Sequence, residues 1–268
     1  MPHYYDYTLP ELQKEAKIPL KVFNEVDQVF KWLAYEMINE IEENNALGKQ
    51  TVFICPVGPV GHYEYFIEAV NQKRISLEKT WFINMDEYLL DDDEWIAIES
   101  PLSFRGYMNK HVYDKIDSEL LMPSNQRIFP DPKNVSEIPH LIEQLGGVDM
   151  VIGGVGINGH LAFNEPEKQL SIPAFLALET RVLALDETTR TVNAMMALNG
   201  ALELMPHRCI TVGFKEIYQG RKIRLCCFRD WHQSVVKRGI CGEQTTEFPV
   251  TLLQTHPDTC LGIPENLL

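Results

Sequence analysis

Two carboxylates, Asp86 and Glu87, stand side by side after the apolar run TWFINM at 80–85. A carboxylate at the end of a buried strand, partly withdrawn from water, can take a proton from carbon next to a carbonyl. A second group follows the run VDMVIGGVG at 148–156. There Gly154, Gly156 and Gly159 lead to His160, with Asn158 inside the turn and Glu165 just beyond. A histidine beside a carboxylate exchanges protons near neutral pH. Simpler roles exist for both groups. An acid at 86 or 87 could cap the next helix, and His160 could merely tie down its own loop. The three glycines formally match a dinucleotide fingerprint, but that fold needs a helix to open at the turn. The chain instead reads His-Leu-Ala-Phe-Asn-Glu-Pro. The glycines therefore point to a tight turn brought close to a ligand.

The elements that must hold these groups can be read from periodicity. Short apolar runs at 51–57, 80–85 and 148–156 suit buried strands, as do 208–214, 222–228 and a final stretch near 259–263. A helical pattern over 21–45 carries Val26, Val29, Phe30, Leu33, Met37 and Ile41. Further helices are expected after the turn at 58–61, over 103–115 and 134–145, near 187–203 and near 231–240. Strands alternating with helices predict an α/β fold, a mostly parallel sheet with helices on both faces. In such sheets function collects at the carboxyl ends of the strands. No repeat or linker interrupts 1–268, so one domain is expected, with 1–20 as an irregular N-terminal arm. The acidic run at 91–94 reads as a solvated loop.

Composition narrows the partners. The chain has 268 residues, 45% of them hydrophobic, and a formal net charge of −14. Such a surface repels nucleic acid and anionic membrane, so neither is expected as a partner. An anionic substrate would need a local cluster of donors. The cysteines at 55, 209, 226, 227, 241 and 260 form no CxxC pair, and several lie in apolar runs. Reduced thiols are expected, and with them a cytoplasmic location. The N-terminus lacks the apolar core of a signal peptide. No apolar run approaches the roughly 20 residues of a membrane helix.

NMDEY at 84–88, together with GGVGINGHLAFNEP at 153–166, resembles the glucosamine-6-phosphate deaminase family. The segments at 103–116, 185–190 (LDETTR) and 253–258 (LQTHPD) are similar too, and the resemblance runs from about 24 to 262. The related 6-phosphogluconolactonases share a Gly-Asp-Gly-His turn but typically lack the Met-Asp-Glu-Tyr stretch. The resemblance implies a Rossmann-like three-layer sandwich and an aldose–ketose isomerase and deaminase acting on a hexosamine phosphate or related hexose. By the resemblance, Asp86 moves a proton between C2 and C1, His160 helps open the sugar ring and Glu165 supports that histidine. Gly58, Gly61, Glu87, Gly154, Gly156, Gly159, Arg190 and His232 fall at substrate-binding positions, with main-chain N–H groups of the glycine turn stabilising developing charge. No metal or organic cofactor is expected, because side chains can perform these proton transfers. The partner is a small sugar or sugar phosphate, and a homo-oligomer is implied.

The chain also departs from the family pattern. The family turn typically reads Gly-Asn-Asp-Gly-His, so its catalytic aspartate is Asn158 here. Asparagine keeps the size and a hydrogen-bonding oxygen but removes the charge, and the ring-opening step is expected to suffer. The family phosphate loop typically reads Pro-Thr-Gly-Gly-Thr-Pro. Here it is Pro56-Val57-Gly58-Pro59-Val60-Gly61. Both hydroxyls are replaced by valine, and Pro59 lacks an N–H donor. Arg190 matches the family's phosphate-binding arginine. The second cation, a lysine, aligns roughly with His232, with Arg229 and Lys237 nearby. These changes favour a substrate with a different group at C6, or none. A sugar-binding protein that has lost turnover and a lactonase are further readings, but binding alone does not need Asp86, His160 and Glu165 together.

Overall fold

The computed structural model describes residues 3–268. Its centre is a seven-stranded sheet, every pairing parallel. The strands are β1 (Leu20–Phe23), β2 (Thr51–Cys55), β3 (Thr80–Asn84), β5 (Arg127–Ile128), β6 (Met150–Gly154), β9 (Lys222–Cys226) and β10 (Thr259–Pro264). They lie in the order β1-β10-β9-β6-β2-β3-β5. A three-stranded antiparallel sheet orders β4 (Asp86–Leu89), β8 (Arg208–Thr211) and β7 (Arg181–Ala184) as β4-β8-β7.

Alternation along the strands builds the layers. Val52 and Ile54 of β2 join the core shared with α5 (Glu137–Gln144), α8 (Phe214–Tyr218) and α9 (His232–Cys241). Phe53 and Cys55 join the opposite core, formed with α2 (Val26–Ala46), α3 (His62–Lys73) and α4 (Phe104–His111). Val29, Leu33, Met37 and Ile41 of α2 recur every fourth residue and are fully buried, which presses one stripe of that helix onto the sheet. A third, smaller core includes Tyr88, Phe163, Leu185, Ala194 and Cys209, and α7 (Glu187–Ala197) closes it. The α/β sandwich expected from sequence is therefore present.

Several expected boundaries differ. Residues 208–214 do not enter the parallel sheet, because β8 pairs antiparallel with β4 and β7. The helix expected over 21–45 begins only at Val26, and 20–23 is a strand on β10. The helix expected to reach 203 stops at Ala197, and a 3-10 turn follows at Leu202–Leu204. The expected irregular arm carries α1 (Leu9–Glu15), with a Thr8–Glu11 capping box and Leu12 fully buried. Residues 1 and 2 of that arm lie outside the described residues. The six cysteines are all unpaired. Among the described residues, no helix is long and apolar enough to cross a membrane.

Candidate active site

A cavity of about 330 Å3 opens at the carboxyl ends of β2, β3, β6 and β9, within the ordinary range for small-molecule sites. Asp86, His160 and His232 line it, as do the turn at 56–60, Tyr88, Thr189, Phe228, Arg229 and Trp231.

Asp86 and Glu87 follow β3 through Met85, whose N–H donates to Cys55 O at 2.9 Å and whose carbonyl accepts from Val212 N at 2.7 Å. This residue joins the two sheets. Because β4 is extended, its neighbouring side chains face opposite ways. Asp86 faces the cavity, is only 7% exposed and makes no side-chain hydrogen bond among the described residues. Burial, and then the adjacent Glu87 charge, hold its carboxyl well above the ordinary carboxylate range. Glu87 turns away from the cavity and is fully buried. It accepts from Ser103 Oγ at 2.9 Å, Phe104 N at 3.0 Å, Arg105 N at 2.9 Å and Arg105 Nε at 3.1 Å. Glu87 thus caps the first turn of α4, a different place from the substrate contact expected of it.

The glycine turn after β6 opens no helix. Gly156 N donates to His160 O at 3.0 Å, and Gly159 N donates to Gly156 O at 2.9 Å. Those N–H groups serve the turn itself, so the expected role of stabilising charge does not fall to them. Each glycine instead makes room. A Cβ on Gly156 would lie 2.0 Å from the His160 ring, and one on Gly154 would lie 2.9 Å from Pro59. Gly159 has φ +82°, and a Cβ there would meet Phe248 at 2.6 Å. Gly58 lines the cavity, whereas Gly61 does not and lies against Phe30, which a Cβ would meet at 2.4 Å.

His160 is held from one side. Its Nδ1 lies 2.6 Å from Asn158 Oδ1, 3.2 Å from Glu165 Oε2 and 3.3 Å from Thr189 Oγ1. Asn158 Nδ2 donates to Glu165 Oε2 at 2.8 Å, which directs Asn158 Oδ1 at the ring. An amide oxygen only accepts, so this network assigns the proton to Nδ1 and leaves Nε2 without a proton in the neutral ring. Burial pushes the Glu165 carboxyl up, but the His160 charge and hydrogen bonds from His160, Asn158 and Thr189 outweigh it and hold it below its ordinary value. Thr189, in this cluster, went unmarked in the sequence. Its signals were its place in the LDETTR segment and beside Arg190.

Arg190 and His232 are differently placed. Arg190 is buried outside the cavity lining. It donates to Pro206 O at 3.2 Å, Met205 O at 3.0 Å and Glu187 Oε1 at 2.7 Å, fastening α7 to the following loop. His232 lines the cavity, but its Nδ1 accepts from Phe228 N and Arg229 N, both at 2.9 Å. Its Nε2 therefore carries the proton and donates to Val155 O at 3.0 Å. Burial lowers its pKa to about 3, so it supplies no positive charge. Lys237 donates to Tyr5 O at 2.9 Å and Tyr7 O at 3.0 Å, outside the cavity lining.

No family model matches the chain. It is 30% identical over 255 residues to a glucosamine-6-phosphate deaminase of Clostridium perfringens (strain SM101 / Type A), covering 92% of this chain and 97% of that one. A glucosamine-6-phosphate deaminase of Porphyromonas gingivalis (strain ATCC BAA-308 / W83) is 30% identical over 89% of this chain and 88% of its own. Among solved structures, a monomeric glucosamine-6-phosphate deaminase matches with a TM-score of 0.79 at 22% identity, covering 94% of this chain and all of that one. A 6-phosphogluconolactonase from Trypanosoma cruzi matches with a TM-score of 0.65 at 14% identity, over 93% and 95%. These two structures share the fold. The sequence relatives go further, and by them the chain belongs to the glucosamine-6-phosphate deaminase family.

Proposed function

We propose that the chain releases ammonia from a hexosamine phosphate, as its relatives' name describes, by way of an aldose–ketose isomerisation. The observation that carries this reading is one cavity lined by both a buried, unpaired Asp86 carboxylate and the His160 ring. His160 Nε2 serves the ring-opening proton transfer, with Nδ1 held by Asn158 and Glu165. Opening moves a proton from the C1 hydroxyl to the ring oxygen. Asp86 then takes the C2 proton, exchanges it with solvent and delivers a proton to C1, while the aldehyde oxygen gains a proton and the C2 nitrogen loses one, so the aldehyde becomes a primary alcohol and the amine an imine. Water adds at C2, ammonia leaves and a ketose phosphate remains. A raised carboxyl pKa suits this step, because the group must both accept and release a proton.

The test is ammonia release from glucosamine 6-phosphate in heavy water. Deuterium should appear at C1 of the ketose product in the native chain and not in Asp86→Asn. Ammonia release or C1 labelling undiminished in the variant would remove Asp86 from the proton path.

Val57 and Val60, together with an Arg190 turned elsewhere, support a second reading in which the C6 group differs from the family's or is absent. A cytoplasmic setting fits the unpaired cysteines.

A further inference from the structure

We infer that Arg229 selects the substrate, by binding a terminal oxyanion at the end of the sugar remote from C1 and C2. The inference rests on the reading above, that the cavity holds an opened amino sugar.

Among the described residues, Arg229 is the one arginine or lysine lining the cavity. Among those residues its guanidinium has no carboxylate within 4.0 Å and makes no side-chain hydrogen bond. Other cations near the site already have partners. Arg190 holds carbonyls and Glu187, and Lys237 holds Tyr5 O and Tyr7 O. His232 is neutral and bonded through both ring nitrogens. Burial already disfavours the charged form of Arg229. A half-buried cation without a counterion carries a desolvation cost that an incoming anion relieves.

The surroundings present this side chain firmly. The Phe228 and Arg229 N–H groups both bond to His232 Nδ1 at 2.9 Å, and the guanidinium lies 4.8 Å from the Phe228 ring centroid. The lateral distance also fits. Asp86 follows β3 and Arg229 follows β9, and the order β9-β6-β2-β3 separates them by three strand spacings, about 14 Å. That span leaves room for a six-carbon chain with a terminal group between the two residues. The fork of a guanidinium takes two oxygens of either a phosphate or a carboxylate. The wall at Val57, Pro59 and Val60 adds no side-chain donor, which leaves Arg229 as the charged donor among the described lining residues.

The experiment measures calorimetric binding by the full chain and by Arg229→Met and Arg229→Lys. The probes are glucosamine 6-phosphate, glucosamine, 2-amino-2-deoxyglucuronic acid and inorganic phosphate, with melting curves to show that the variants are folded. In the native chain, one of the two charged sugars should bind about 10- to 100-fold more tightly than glucosamine, the scale of a charge-assisted hydrogen-bonded pair. Which one does so distinguishes phosphate from carboxylate. Arg229→Met should abolish the preference and Arg229→Lys should keep part of it. A native chain that binds charged and neutral sugars equally overturns the inference, as does a preference surviving in Arg229→Met. If the native chain releases no ammonia but its charged-ligand binding is lost in Arg229→Met, the proposed reaction fails while the role of Arg229 stands.

Discussion

Replacing Asp86 by asparagine should make the protein more stable and nearly inactive. The carboxylate is 7% exposed, lacks a hydrogen-bond partner and sits next to the Glu87 charge. Its pKa is raised in the fold, so its proton is held more tightly there than in the unfolded chain. Below the ordinary carboxylate range the group is neutral in both states and costs nothing as an ion. As pH rises from that range through the raised folded value, the native chain loses stability. Asparagine does not ionise, so the gap between variant and native chain should open over the same window. An unpaired buried ion costs several kcal/mol, whereas an unpaired buried amide costs about 1–3 kcal/mol. The variant should therefore gain about 1–3 kcal/mol above the window and close to nothing below it. Turnover should fall about 100-fold or more with the general base removed. Urea denaturation of both proteins across a pH series, beside an ammonia-release assay, reads both effects. Equal stability at all pH values would refute the claim that Asp86 is held as a strained ion, whatever happens to activity.

Glu87→Gln removes the second cause of the raised Asp86 pKa, so the acid limb of the pH–rate profile should move to lower pH; an unmoved limb would count against it. The same change leaves Arg105 without a charged partner and should cost about 1–3 kcal/mol in denaturant. Asn158→Asp places a second carboxylate 2.8 Å from Glu165 Oε2 in place of a donor. Stability should drop by about 1–3 kcal/mol above the carboxylate range and less below it, and a pH-independent loss would contradict this account. Gly159→Ala, at φ +82° and with Phe248 2.6 Å from the new methyl, should cost about 2–4 kcal/mol and reduce turnover through His160. An unchanged melting temperature would contradict the steric account of this turn.

The central strands were legible because each is a short unbroken apolar run, and β2, β3, β6 and β9 fall where those runs do. The second sheet was not. β4 follows β3 with only Met85 between them and no glycine or proline to mark a break, while β7 is a half-buried four-residue strand. The helix at Leu9–Glu15 did leave a trace, since Thr8 and Glu11 stand at capping-box spacing with Pro10 in the first turn. The adjacency of Asp86 and Glu87 was visible, but their division of labour was not. It depends on donors at 103–105, brought near only by the fold. Arg190 and Arg229 look equivalent as letters. Carbonyls at 205 and 206, supplied by a loop more than a dozen residues downstream, occupy the first, and among the described residues no acceptor holds the guanidinium of the second.

The splice at Met85 sets which parts of this cavity could be rebuilt. Its N–H is bonded in the large sheet's territory and its carbonyl in the small sheet's. Adding or deleting one residue between 84 and 88 would exchange the faces of Asp86 and Glu87, sending the proton carrier into the α4 cap and the capping acid into the cavity. The turns at 56–60 and 228–231 carry no such register, since each lies past the end of its strand. Libraries that vary length and sequence in those two turns should yield folded proteins with new sugar preferences, whereas length variation at 84–88 should yield chains that lose both capping and turnover at once.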